Sequence, residues 1–259
     1  MPRRPRRVDA GSLNDNGPSF LHGVSLRADT PSDRFPFELE VVGQVDRIRF
    51  GDVTILVGDN GAGKSTLIEA LAVMAELNAE GGSKNHLFST RATHSELSQY
   101  LRPKWRVRPG WGWFLRAETF YAMASAFEDD PTVAKGLPAL HEVSHGQSFL
   151  AVAEAKFGTP GFYVLDEPES ALSIQGQMRL LWLIAQSVRG GSQFVLATHS
   201  PMMMAFPGAR IFAVDQGIEE VAFEDVASLG LWRRFFADCS QFIERLLDAG
   251  DDVSDDGDS

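Results

Sequence analysis

The chain has 259 residues, 44% hydrophobic and 23% charged, with a formal net charge of -11. That balance supports a buried core, excludes disorder along the whole length, and speaks against a basic coat for nucleic acid. A single cysteine, Cys239, makes no internal disulfide, no apolar run reaches the roughly 18 residues of a membrane span, and the arginine-rich start lacks a leader's apolar stretch, so the expectation is a cytoplasmic protein.

Residues 1–17, with Arg3, Arg4, Arg6 and Arg7, read as a disordered basic tail and residues 249–259 as a disordered acidic one. Residues 18–248 read as one domain. Strand-like runs rich in β-branched and aromatic residues come first, at Phe20–Leu26, Phe37–Val42 and Val53–Val57. Leu67, Ile68, Leu71, Met74 and Ala75 then repeat at helical spacing, predicting a helix over Lys64–Leu77 that Gly81 and Gly82 end. Residues 78–111 are polar and irregular, with a short helix near Ser95–Leu101 and a basic cluster of Arg102, Lys104, Arg106 and Arg108, and read as an inserted lobe. A strand at Trp113–Arg116, a helix from Glu118, a loop around Pro131–Pro138 and a helix from Gln147 to about Phe157 follow. The apolar strand Phe162–Leu165 suits burial on both faces. Met178, Leu181, Trp182, Ala185 and Val188 lie on one stripe of a helix over Gln175–Val188, and Gln193–Ala197 is a second buried strand. Strand and helix alternate, which predicts an α/β protein with a largely parallel sheet.

Two motifs carry chemistry. Gly58-Asp59-Asn60-Gly61-Ala62-Gly63-Lys64-Ser65 is a full G-x-x-x-x-G-K-S loop between a predicted strand and a predicted helix. Its glycines let backbone N–H groups turn inward as an anion nest, and the helix N-terminus adds its positive dipole end. A nucleoside triphosphate is the natural guest. Lys64 is expected at the β- and γ-phosphates, Ser65 on Mg²⁺, and Thr66 near the α-phosphate. Phe162-Tyr163-Val164-Leu165-Asp166-Glu167 then brings two carboxylates to a strand end, Asp166 for the magnesium shell and Glu167 for the attacking water.

Three further segments make the pattern specific: Ser144-His145-Gly146-Gln147-Ser148, Glu169-Ser170-Ala171-Leu172-Ser173, and Ala197-Thr198-His199-Ser200. In this order, and across roughly residues 18–225, the chain resembles the ATP-binding-cassette (ABC-type) ATPases, particularly small stand-alone bacterial ones. The resemblance implies a P-loop cassette with a mostly parallel central sheet, an N-terminal antiparallel β part and a small inserted lobe. It also implies ATP and Mg²⁺ as ligands, and a homodimer in which the signature loop of one chain, through Ser144, Gly146 and the Gln147 helix, closes on the γ-phosphate held by the other. His199 would sense that phosphate, and Ser170 would touch the partner's site. The sequence departs from the family at His145, where a glycine is usual, and at Ser173, where an aspartate is common. Leu115-Arg116-Ala117-Glu118 stands where a glutamine is usual, making Glu118 the candidate for a metal-linked role. Phe35 and Phe37 are candidates to stack on adenine. The spacing from Lys64 to Ser144 leaves no room for long coiled-coil arms.

Three alternatives stand beside this reading. His141-Glu142-Val143-Ser144-His145 fits H-E-x-x-H, which on a helix would hold zinc, with Glu169 as a possible third ligand and Glu142 as base. A transporter motor docked on a membrane partner is another. The basic cluster admits nucleic-acid contact, although such runs are more often solvated faces. Met202, Met203 and Met204 read as interior.

Overall fold

The computed structural model describes residues 19–78, 96–120 and 143–251. The basic tail (1–17), residues 252–259 of the acidic tail read over 249–259, the Gly81–Gly82 stop, the Pro131–Pro138 loop and the His141–Glu142 pair lie outside the described residues, while 249–251 belong to the last helix. The chain divides into two units, Met1–Glu220 and Val221–Ser259.

In the first unit, β1 (Leu21–Leu26) pairs antiparallel with β3 (Leu101–Trp105), in a register that sets Ser25 opposite Arg102. The short helix α3 (Leu97–Tyr100) leads into β3, where Leu101 is buried while Arg102 and Lys104 are exposed. Part of the segment read as a lobe is therefore a strand of the antiparallel β part, with Arg102 and Lys104 of the basic cluster exposed on it and Arg106 and Arg108 just after it. Gln193 ties this pair to the rest of the unit. Its amide donates to the carbonyls of Leu21 and Gly51, both at 2.8 Å, and accepts from the Leu21 N–H at 2.7 Å.

The main sheet has six strands: β2 (Val53–Val57), β4 (Gly112–Arg116), β5 (Phe162–Asp166), β6 (Gln193–Ala197), β7 (Arg210–Ala213) and β8 (Glu219–Val221), in the order β4-β5-β6-β2-β7-β8. The β4–β5, β5–β6, β6–β2 and β2–β7 pairs are parallel. β2, β5 and β6 are buried at every residue, as an apolar strand covered on both faces must be. On one face Leu56, Phe162, Val164, Val195 and Phe212 pack with Leu67, Ile68 and Leu71 of α2 (Lys64–Met74). On the other, Phe157, Tyr163 and Phe194 form an aromatic cluster with centroids 4.8–5.1 Å apart. There the Tyr163 hydroxyl donates to the Lys156 carbonyl at 2.8 Å and Ser187 Oγ to the Phe157 carbonyl at 2.7 Å. These bonds fix the end of α4 (His145–Lys156), so its N-terminus is held in place too.

Three predicted elements differ. Phe37–Val42 is not a strand: N–H groups of Phe37, Leu39 and Val42 reach carbonyls three residues back, and α1 (Glu40–Gly43) follows, burying the same apolar side chains through turns. α2 stops at Met74, before the predicted end. Glu76 adopts φ 62°, the Leu77 N–H reaches the Ala72 carbonyl and the Glu76 N–H reaches Val73, a Schellman end made without glycine. On α5 (Ile174–Arg189) the buried stripe is Leu180, Leu183, Ile184, Ser187 and Val188, whereas Met178 and Trp182 of the predicted stripe are exposed. Met203 and Met204 on α6 (Pro201–Met204) are interior as expected.

In the second unit, α7 (Ala227–Ala237) and α8 (Cys239–Asp251) carry a ring cluster of Trp232, Phe235, Phe236 and Phe242.

Candidate nucleotide-binding site

The parallel strands β2, β5 and β6 end together, and their C-terminal edge is where an open α/β sheet presents its ligand site. β2 passes directly into the glycine loop. Gly58, Gly61 and Gly63 have φ values of 152°, 85° and 90°, which only glycine adopts without strain. At Gly63 a Cβ would also stand 2.7 Å from Val41 Cγ1. No side chain caps the N-terminus of α2, so its first N–H groups remain available to an anion. Asp215 accepts from the Asp59 N–H at 2.5 Å and pins the start of the loop.

The Lys64 ammonium donates to the carbonyls of Gly58 and Asp59, both at 2.8 Å. Burial pushes its pKa below the usual lysine value, while Glu167, Asp215, Asp166 and Asp59 pull in the opposite direction. Asn60, Gly61, Gly63, Lys64, Ser65, Thr66 and Glu167 line a 310 Å³ cavity together with Phe35 and Leu39. Of the two candidate stacking rings, Phe35 is 65% exposed at this cavity, and Phe37 is buried edge-on to Tyr100 at 5.0 Å. Phe37 is thus corrected to a core residue.

Ser65 Oγ donates to Asp166 Oδ1 at 3.2 Å. Both are hard oxygen donors, and neighbouring ligands of a magnesium ion bound at 2.0–2.1 Å lie about 3 Å apart, so the pair fits that ion. Burial raises the Asp166 carboxyl pKa, against the opposing pull of Arg116 and Ser65. Arg116 Nε donates to Asp166 Oδ2 at 3.0 Å, and its Nη2 donates to Glu69 Oε2 at 3.0 Å. Glu118 lines the same 510 Å³ cavity as Ser65, Asp166 and Glu167.

Glu167, immediately after β5, has φ 46° and ψ 50°, and its N–H donates to the Ala197 carbonyl at 2.9 Å. Its Oε1 lies 3.6 Å from His199 Nε2. The backbone N–H of His199 donates to Glu169 Oε1 at 2.6 Å, so Glu169 holds the loop that carries the histidine. Arg116 and Glu169 are the site residues that sequence reasoning missed. No local motif marks either role: that of Arg116 depends on the β4–β5 register and that of Glu169 on the backbone of the distant His199.

Ser144 is the N-cap of α4. Its Oγ accepts from the Gln147 N–H at 3.4 Å, and the Gln147 side chain accepts from the Ser144 N–H at 3.0 Å, a complete capping box. A Cβ on Gly146 would stand 2.9 Å from the Ala171 carbonyl, so the glycine permits close packing on the loop after β5. Ser144, Gly146, Gln147 and Ser173 line a separate 520 Å³ cavity. Ser170 lines the cavity of its own chain's Asp166.

The described part of the segment does not favour the zinc alternative. Ser144 is extended, at φ -66° and ψ 155°, so Val143 and Ser144 stand outside the helix, which starts only at His145. Glu169 Oε1 is already committed to His199, and no group of three metal-ligating residues occurs among the described residues.

Residues 53–148 match the family model described as "AAA domain, putative AbiEii toxin, Type IV TA system". The chain is 29% identical over 171 residues to the cytochrome c biogenesis ATP-binding export protein CcmA of Rhodopseudomonas palustris strain BisB5, covering 63% of this chain and 86% of that protein. It is 30% identical over 201 residues to the hemin import ATP-binding protein HmuV of Nocardia farcinica, covering 68% of each. Among solved structures, the SMC head domain from Thermotoga maritima aligns with TM-score 0.38 and 18% identity, covering 67% of this chain and 91% of that one. No helix among the described residues is long and apolar enough to cross a membrane. With the phosphate loop, the paired carboxylates and the strand-end histidine gathered at one sheet edge, the chain belongs to the ABC-type P-loop ATPases and is an ATP-hydrolysing enzyme.

Proposed function

We propose that this ATPase acts in the cytoplasm as a nucleotide-driven switch, closing head to tail with a second copy around two ATP molecules. One observation carries the reading: Ser144, Gly146 and Gln147 line one cavity and the P-loop another, while the Asp166 cavity shares Ala171 with the first and Ser65 and Glu167 with the second. Each chain thus presents the signature residues and the P-loop in two different cavities. The Ser144 hydroxyl oxygen accepts within its own capping box and keeps its O–H for a phosphate oxygen of the facing chain. The N-terminus of α4, although capped by Ser144, adds its dipole.

Within the P-loop half, the backbone N–H groups and Lys64 grip the triphosphate. Ser65 and Asp166, with Glu118 nearby, would hold Mg²⁺, which when bound neutralises phosphate charge. Glu167 takes the proton of the attacking water, and His199 steadies that water and the γ-phosphate through Nε2. A transporter motor is the second reading, favoured by the relatives, which are named as export and import ATP-binding proteins.

The test is light scattering of Glu167→Gln with saturating ATP and magnesium. It is expected to be dimeric, whereas Lys64→Ala and Ser144→Arg stay monomeric. Phosphate release by Glu167→Gln is expected to fall about 10²- to 10⁴-fold. A Glu167→Gln protein that binds ATP but remains monomeric would overturn the dimer reading and favour the motor.

A further inference from the structure

The parallel register of β4 and β5 sets Arg116 directly opposite Asp166 at the strand ends. The guanidinium side chain is 15% exposed and the two carboxylates it bridges, Asp166 and Glu69, are 5% and 17% exposed. The contact is therefore no solvated surface pair. Its geometry divides the aspartate in two. Oδ2 is held by Arg116 Nε at 3.0 Å, and Oδ1 is turned to Ser65 Oγ at 3.2 Å. Arg116 also lies over the Phe114 ring, 5.3 Å from its centroid, which restricts the guanidinium plane.

A fixed cation beside a carboxylate does two things. It orients the remaining oxygen, and it offsets the negative charge that would draw in a divalent ion. Glu69 shares the guanidinium and so limits how fully Arg116 neutralises Asp166. We infer that Arg116 is a positioning residue that presents Asp166 Oδ1 toward the metal position while holding back a bare divalent cation, so that metal enters together with the charge of the nucleotide. The inference rests on the reading of Ser65 and Asp166 as the metal site.

Mn²⁺ binding, followed by electron paramagnetic resonance on the full chain, tests it without turnover. In nucleotide-free protein, Arg116→Gln is expected to bind Mn²⁺ at least about 10-fold more tightly than wild type. Arg116→Lys, which keeps the charge, is expected to stay within about 3-fold of wild type. With ATP present, Glu69→Gln is expected to need at least about 3-fold more Mn²⁺ for half-saturation, because Arg116 then rests on Asp166 alone. A mere loss of structure would not move the two substitutions in opposite directions. Unchanged or weaker Mn²⁺ binding by a folded Arg116→Gln, or tightening by Arg116→Lys as large as that by Arg116→Gln, would overturn the inference. If Arg116→Gln fails to fold, the Lys and Glu69 variants decide it on the same criteria. Asp166→Asn separates the two layers of the argument: if it takes up Mn²⁺ with ATP as wild type does, the metal-site reading itself is wrong.

Discussion

Glu167 sits in the left-handed region of backbone space, at φ 46° and ψ 50°, a conformation that a Cβ opposes by about 1 kcal/mol or more. The strain is held in place by its N–H bond to Ala197 and by the Ser170 N–H, which donates to the Glu167 carbonyl at 3.0 Å. Its effect is to turn the carboxylate off the strand and toward His199. Substitution by glycine relieves the clash, partly offset by the greater unfolded-state freedom of glycine. Denaturant unfolding is thus expected to show Glu167→Gly at equal or greater stability than wild type, by up to about 1 kcal/mol, and Glu167→Gln within about 0.5 kcal/mol. Both should lose hydrolysis about 10²-fold or more. A Glu167→Gly protein less stable by over 1 kcal/mol would show that the side chain itself holds the loop. The Asp-Glu pair was legible in the sequence because a buried strand ending in two acids has few other uses. The left-handed turn was not, since no glycine marks it, and neither was Glu169, whose role depends on the distant His199 backbone.

At the scale of elements, periodicity found α5, but of the stripe it picked out only Val188 is buried, while Met178 and Trp182 are exposed. Its sequence carries two overlapping apolar stripes, and the hydrophobic pattern alone cannot rank them. Tertiary contacts decide: the Ser187 hydroxyl reaches the Phe157 carbonyl, Leu183 and Ile184 are buried, and Trp182 stays outside with the Arg179 guanidinium 4.5 Å from its ring. Ile184 is 1% exposed and Trp182 49%. Ile184→Ala is accordingly expected to cost about 2–4 kcal/mol of unfolding free energy, and Trp182→Ala about 1 kcal/mol or less, although it removes the larger side chain. Chemical denaturation of the two variants checks the order, and a larger loss at Trp182 would mean that this face is covered in solution. α4 was found, but its expected start at Gln147 falls two residues after the observed one at His145; the capping-box spacing of Ser144 and Gln147 is the local signal that marks the true start.

Over the whole molecule, the strand order β4-β5-β6-β2-β7-β8 could not be read from the chain, because β2 lies between β6 and β7, both more than 130 residues later in sequence. That neighbourhood is set by which buried faces fit, whereas the phosphate loop at the end of β2 is set locally, so the site was more legible than the sheet that supports it. The same contrast of local and global terms governs association. The donors offered by the signature half are a neutral hydroxyl and backbone N–H groups at a helix start, while each chain carries a formal net charge of -11 and brings a polyanionic nucleotide with it. Short-range contacts then work against long-range repulsion, and salt screens the second far more than the first. For Glu167→Gln with saturating ATP and magnesium, raising sodium chloride from about 0.05 M to about 0.3 M cuts the Debye length to less than half and is expected to tighten the dimer about 3-fold or more in analytical ultracentrifugation. A dimer that instead weakens by that factor would be held by charge pairs across the interface, and the neutral phosphate-facing surface assigned to Ser144 and Gly146 would have to be abandoned.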